Sequence, residues 1–359
     1  MLKVKVNFRT VTVLVSTLIA ISALAAVAVV YVNRLTPRWR RCDFFVFNTQ
    51  CEVRLYCTQQ QYESAVSEAF DILFGLESAL NRFNPQSELS RFNALPPGTP
   101  FPCSDTLWTA LNAAKEAYHL TEGTFDITIG PLMDAWKTIA VKPLPPDSAE
   151  AQSLLTRARS GVGFDKIVLD PGKRTATRSH PVTRLDFGGM AKGLALDLVQ
   201  PVWTRHGIAA SYSNFGGNLV YSGSPELCPF EGVGIEDPFE RPRLLGTLRN
   251  CTNRFIATSS NASRPLGHDD SGKTISHIID PATGTPAANY SSVTALAGCG
   301  LHSDVLSTAV FIKGESLAQK IRQKLPGTSF VLLSAPPEQH IAILGTPDFT
   351  SARDIPTVH

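Results

Sequence analysis

Asp186-Phe187-Gly188-Gly189-Met190-Ala191-Lys192-Gly193 opens directly onto an apolar, helix-forming run that continues to Arg205. The Gly pair lets backbone approach a ligand with no Cβ in the way. The amides that begin the following helix carry partial positive charge, which favours an anion. Asp186 is the odd member, because a carboxylate beside an anion site repels the ligand unless a cation or a hydrogen-bond donor of the ligand lies between them. The stretch reads as a loop-to-helix turn built to receive phosphates.

Outward from this turn, strands and helices follow one another irregularly. A strand-like run covers 44–56, and apolar residues at 62, 66, 69, 70, 73, 76 and 80 have the spacing of an amphipathic helix over 62–83. Further helices are expected at 107–120, with Ser104 or Asp105 as N-cap, at about 149–159, at 190–205, and at 303–324 with an interruption near Gly314. Strands are expected at 166–169, 218–222, 232–235, 255–258, 293–297 and 329–333. That order predicts an α+β fold of mixed sheets with packed helices, in one catalytic body, rather than a doubly wound nucleotide fold.

The N-terminal region has a different character. Residues 1–10 form a basic tail, and residues 11–32 carry no charge and are long enough, at about 22 residues, to cross a bilayer as a helix. An anchor or uncleaved signal is expected there. Residues 33–43 read as a basic, Pro-containing linker, 44–345 as the folded body and 346–359 as a tail. Lys3, Lys5 and Arg9 precede the span and Arg34, Arg38, Arg40 and Arg41 follow it, so positive charge alone leans towards a cytoplasmic body.

With 359 residues, 43% hydrophobic content and a net charge of +2, the chain buries a full core and has no field suited to nucleic acid. Its seven cysteines lack Cys-x-x-Cys spacing, which excludes the usual zinc and thiol-redox motifs; Cys51 and Cys57 are a candidate bridge in an oxidising compartment.

Four other stretches carry chemistry, and each has a plainer alternative. In Gly123–Trp136, Asp126 sits among aromatic and β-branched residues, either on a ring-binding wall or as a local amide cap. His277, three residues before Asp280 in a Pro- and Gly-punctuated loop, is a general base or a structural imidazole. Asp304 and Thr308, four apart on one helix face, offer two hard oxygens suited to Mg²⁺, or act as helix-end and back-bonded groups. Asn214-Phe215-Gly216-Gly217-Asn218 repeats the Gly-pair device before a strand.

Taken together, DFGGMAKG (186–193), GTFDITIGPLMDAW (123–136), HIIDPATGTP (277–286) and SDVLSTAVFIKG (303–314) resemble the successive signatures of the flavin transferase (ApbE-type) family, enzymes that move FMN from FAD onto a protein hydroxyl. Segments 87–93, 161–165, 214–218 and 257–260 fall in the same order, so the likeness spans roughly 44–345. The resemblance implies Mg²⁺ held by the Gly189 carbonyl, Asp304 and Thr308. It implies FAD contacts from Asp186, Lys192, Thr124, Phe125 and Asp126, with Phe47, Phe101 and Ile275 at further ligand positions, and a transfer role for His277. It further implies FAD as substrate, an acceptor redox protein bearing a Thr or Ser, release of AMP, membrane attachment through 11–32 and a body on the extracytoplasmic, periplasmic side. Hydrolysis of FAD to FMN and AMP, or delivery of FAD without catalysis, stays open beside it. Leu194 stands where many members have an aromatic, Leu301 where some add a second Asp, and Cys42 follows no lipidation signal.

Overall fold

The computed structural model describes residues 8–240, 242–261, 266–268, 274–336, 339–352 and 357–358. Helix α1 (Phe8–Leu35) meets the body at its C-terminal end, and its candidate span is wholly unburied. Pro37 ends it, lacking an N–H and disfavouring helix at the residue before it. Strand β1 (Arg38–Val46) then pairs with β2 (Thr49–Cys57) around Phe47 and Asn48, whose φ values of 54° and 55° suit a tight hairpin turn. The expected 33–43 linker is therefore reduced to two residues between helix and strand, and the single strand expected over 44–56 is broken by the turn.

Thr58 and Gln61 form a capping box for α2 (Gln59–Leu80), and Ser87 caps α3 (Glu88–Ala94). The short β3 (Phe101–Pro102) precedes α4 (Asp105–Leu120), capped by Ser104. Next come α5 (Gly130–Val141) and α6 (Ala149–Ser160), then β4 (Ile167–Asp170) and β5 (Thr175–Arg178), which form a small sheet with β3.

Helix α7 (Ala191–Arg205) leads into β6 (Ala210–Phe215), β7 (Asn218–Gly223), β8 (Val233–Glu236), β9 (Leu244–Arg249) and β10 (Phe255–Ser260). A two-residue pair, β11 (Gly267–His268) and β12 (Thr274–Ile275), precedes β13 (Tyr290–Ala297). The chain closes with α8 (Gly300–Lys313), α9 (Glu315–Lys324), β14 (Ser329–Ser334), β15 (Ile341–Leu344), β16 (Asp348–Ser351) and β17 (Thr357–Val358). Gly314, at φ +74°, separates α8 from α9 where the sequence predicts a break.

The result is α+β. A large sheet runs β1-β2-β6-β7-β10-β13-β14-β15-β17, antiparallel except for its last pair, and a second small sheet runs β16-β9-β8. Residues 346–359, expected as a tail, thus supply β16 to one sheet and β17 to the other. Helices α2, α7 and α8 cover one face of the large sheet, where Leu73, Phe215, Phe311 and Phe330 are fully buried. Cys51 and Cys57 lie six positions apart on one strand, about 20 Å, too far to bridge.

Candidate active site

The site begins at a helix crossing. Gly193 in α7 and Gly300 in α8 touch so closely that a Cβ on either would lie 2.3 Å from the other's carbonyl oxygen. This contact brings Asp304, 5% exposed, under the first turn of α7, where its Oδ2 accepts the Gly193 N–H at 2.9 Å. That amide consequently does not close the helix onto the Gly189 carbonyl four residues back. The Lys192 ammonium stands 3.7 Å from Asp304 Oδ1, so the buried carboxylate faces a helix N-terminus and a cation together. Asp197 reaches across from α7 to accept the first two amides of α8, Gly300 N at 2.6 Å and Leu301 N at 2.8 Å. The end-capping role open to Asp304 in the sequence thus belongs to Asp197.

Thr308 is half-buried and back-bonded to the Asp304 carbonyl at 3.4 Å. Its Oγ1 also lies 3.1 Å from the Ser259 hydroxyl of β10, which meets Ser307 at 2.8 Å. Ser259 lies within the 257–260 segment, and nothing local in the sequence marks its hydroxyl for this contact. Among the described residues no three His, Cys, Asp or Glu side chains gather as metal ligands, so any cation here depends on Asp304 with hydroxyl and carbonyl oxygens.

Lys192 connects this corner to a cleft of about 490 Å³ lined by Phe47, Phe83, Arg82, Asp186 and Gly188, among others. Asp186 accepts the Gly188 N–H at 2.8 Å on one oxygen and pairs with Arg82 Nη1 at 2.7 Å on the other. Arg82 Nη2 reaches Asp134 at 2.6 Å. Burial would lower the Arg82 guanidinium, but the two carboxylates outweigh it and hold it above its ordinary value. Arg82 is therefore the cation that offsets Asp186 at the Gly-rich turn, and nothing in the local sequence marks it. Phe83, 76% exposed, projects at the mouth with the Arg82 and Lys137 cations 5.3 and 5.9 Å from its ring centre. Phe47 keeps its left-handed backbone with its N–H on Glu77 Oε1 at 3.2 Å.

The Gly-rich turn is held from below by two segments. Asn93 binds both polar backbone atoms of Leu185, at 2.8 and 3.0 Å, and the Ile127 carbonyl accepts the Asp186 N–H at 2.7 Å. Phe125 is buried directly against Gly189, where a Cβ would lie 3.0 Å from its ring. Thr124 is buried next to it. Asp126 Oδ1 accepts the Thr128 N–H and hydroxyl at 2.8 and 2.7 Å, and Thr128 Oγ1 in turn accepts the Gly163 N–H at 2.7 Å. Burial pushes the Asp126 carboxyl up, against those hydrogen bonds. Asp126 thus serves as the local cap that the plainer reading offered.

The remaining candidates do not line this cleft. Phe101 packs edge-on against Phe92 in the core. Ile275 packs with Trp136 and lines a separate cavity of about 640 Å³ with Asn261 and Ser276. His277 is half-buried in the same loop. The loop is fixed by Trp136 Nε1 donating to the Gly284 carbonyl at 2.7 Å and by Lys313 pairing with Asp280 at 3.1 Å. Helix α5 carries both Asp134, the partner of Arg82, and Trp136 of the second cavity, and just past the end of β10 Asn261 accepts the Ser276 hydroxyl.

The Gly-rich turn, a buried carboxylate at a helix crossing and an aromatic-rimmed cleft thus meet in one α+β body. The sequence model of the ApbE family matches residues 47–332, and the chain belongs to that family. It is 30% identical over 273 residues to the FAD:protein FMN transferase of Haemophilus influenzae, covering 73% of this chain and 76% of that one. It is 27% identical over 308 residues to the enzyme of the same name from Treponema pallidum, covering 80% and 82%. The fold is shared with the ApbE protein of Thermotoga maritima (TM-score 0.71, 20% identity, covering 83% of this chain and 94% of that one). It is shared equally with the flavin transferase ApbE of Vibrio cholerae (TM-score 0.70, 23% identity, 88% and 97%).

Proposed function

We propose that this chain is an FAD:protein FMN transferase that uses Mg²⁺ to move FMN from FAD to a Thr or Ser hydroxyl of an acceptor redox protein, releasing AMP. The observation that carries the reading is the shared position of Asp304. It is buried at the α7–α8 crossing on the Gly193 amide, beside Lys192, which lines the same cleft as Asp186 and Phe47. The donor set suits the ion: one carboxylate, the Thr308 hydroxyl and the Gly189 carbonyl, which the Gly193 amide leaves aside, are all hard oxygens.

A diphosphate resists nucleophiles because its oxygens are negative, and Mg²⁺ bound by these oxygens would neutralise that charge and fix an in-line geometry. The chain's own residues do the rest. Lys192 and the amides opening α7 add positive potential at the phosphates. Arg82 cancels the Asp186 charge so that its carboxylate can accept hydrogen bonds from the dinucleotide without repelling the phosphates. Phe47 supplies apolar wall for a ring. His277 is the candidate to take the proton of the attacking acceptor hydroxyl.

Membrane attachment through residues 11–32, with the body on the extracytoplasmic side, belongs to the same proposal. The unburied apolar helix α1 supports the attachment, and the side of the body is taken from the family resemblance.

The test combines the full chain in detergent with FAD, Mg²⁺ and a peptide bearing an acceptor Thr, followed by mass spectrometry. Mass added to the peptide equal to an esterified FMN, with AMP released in equal amount, is the expected result. FMN and AMP released with no peptide adduct would replace transfer by hydrolysis.

A further inference from the structure

Two half-buried thiols share a cavity well away from the cleft. Cys228 follows the turn after β7 and Cys251 follows β9, and both line a space of about 340 Å³ with Tyr221 and Phe230. The antiparallel register of β8 and β9 sets Val233 against Leu248. The pairing stops there, and Cys228 and Cys251 both lie just beyond that open end, on the segments entering β8 and leaving β9. The Cys228 Sγ folds back to 3.4 Å from the Phe230 carbonyl oxygen, and the Cys251 Sγ lies 3.2 Å from that of Arg249. Both cysteines therefore line one cavity at the open end of the β8–β9 hairpin. Burial pushes the Cys251 thiol up to about 11, and the nearby Cys228 sulfur is one of the groups raising it further.

We propose that Cys228 and Cys251 form a disulfide, an oxidative modification that locks the base of the β8–β9 hairpin to the large sheet beside the Tyr221–Thr252 bridge. The oxidant is a disulfide-bearing thiol-exchange partner. One cysteine thiolate attacks its disulfide and expels a thiol. The second cysteine attacks the mixed disulfide, the Sγ–Sγ bond forms and a second thiol leaves. Two protons leave the cysteines and two electrons reduce the oxidant. The far end of the hairpin carries Pro238 and Phe239, which wall the 640 Å³ cavity, so the bond steadies that wall from behind. The proposal is independent of the transfer reading, and its test involves no flavin.

The full-length chain, purified reduced in detergent, is incubated with oxidised glutathione, alkylated with iodoacetamide and digested without reductant. Mass spectrometry should find the peptides of Cys228 and Cys251 joined and lighter than their sum by two hydrogens. Oxidation should raise the thermal midpoint by several degrees. Cys228→Ser and Cys251→Ser should each lose both effects, while Cys103→Ser keeps them. Recovery of both cysteines as alkylated or glutathionylated peptides, or linkage of either to a different cysteine, would overturn the pair. A linked peptide with no change in midpoint would overturn the clamp.

Discussion

Asp304 separates chemistry from folding, because one of its oxygens takes the Gly193 amide while the other faces Lys192. Asp304→Asn keeps an oxygen for that amide but removes the charge. It should fold, by circular dichroism, and lose at least about a hundredfold in flavin transfer. Asp126 behaves differently. Burial raises its carboxyl, so its stabilising contribution is complete below the ordinary Asp value of about 4 and is lost as pH rises through the raised one. Asp126→Asn retains an acceptor for Thr128 and carries no charge to bury. Its thermal midpoint relative to the parent should therefore rise from near equality at acid pH to its largest advantage at neutral pH. A gap that instead narrows with rising pH would contradict the burial argument. Asp186, Lys192 and Asp304 were legible in the sequence because Gly pairs and helix spacing mark them. Arg82 was not, since its partner Asp186 lies about a hundred positions along the chain; Asn93 fell within the 87–93 segment, but its partner Leu185 is as distant and left its role unmarked.

Among the elements, the α7–α8 crossing is the least tolerant of change. Gly193→Ala would place a methyl 2.3 Å from the Gly300 carbonyl, backbone that has nowhere to go. A loss of about 1–3 kcal/mol or more is expected in denaturant unfolding, with activity falling alongside as Asp304 is displaced. Gly75, within α2, has nothing within 4 Å of its missing Cβ. Gly75→Ala should stabilise by about 0.5–1 kcal/mol. Equal responses at the two glycines would refute the packing account. Helices α4, α6 and α7 were legible from caps and apolar spacing. Strand β1 was hidden because Arg38, Arg40 and Arg41 on an edge strand imitate a basic linker. Strand β16 was hidden because its partner β9 lies about a hundred positions earlier in the chain, and β17 because it is only two residues long.

For the molecule as a whole, α+β architecture was legible from the irregular order of elements, but the attachment of the body to its N-terminal helix was not. Only Thr36 and Pro37 separate α1 from β1, and Arg40 Nη2 donates to the Asn33 carbonyl at 3.2 Å, fastening the strand to the helix end. Inserting a Gly-Ser segment of about twenty residues after Thr36 should leave transfer to a free peptide unchanged and alter its rate towards a membrane-embedded acceptor in the same vesicle. Equal rates on that acceptor with and without the insert would make the attachment irrelevant. Strand β1 spans nine residues, about 30 Å, and the Phe47 turn beside the cleft is at its far end. With residues 11–32 in a bilayer, the enzyme works on a short leash. On the proposed transfer, the acceptor hydroxyl would have to come within a few nanometres of the lipid surface, and one displayed higher above the membrane would pass out of reach.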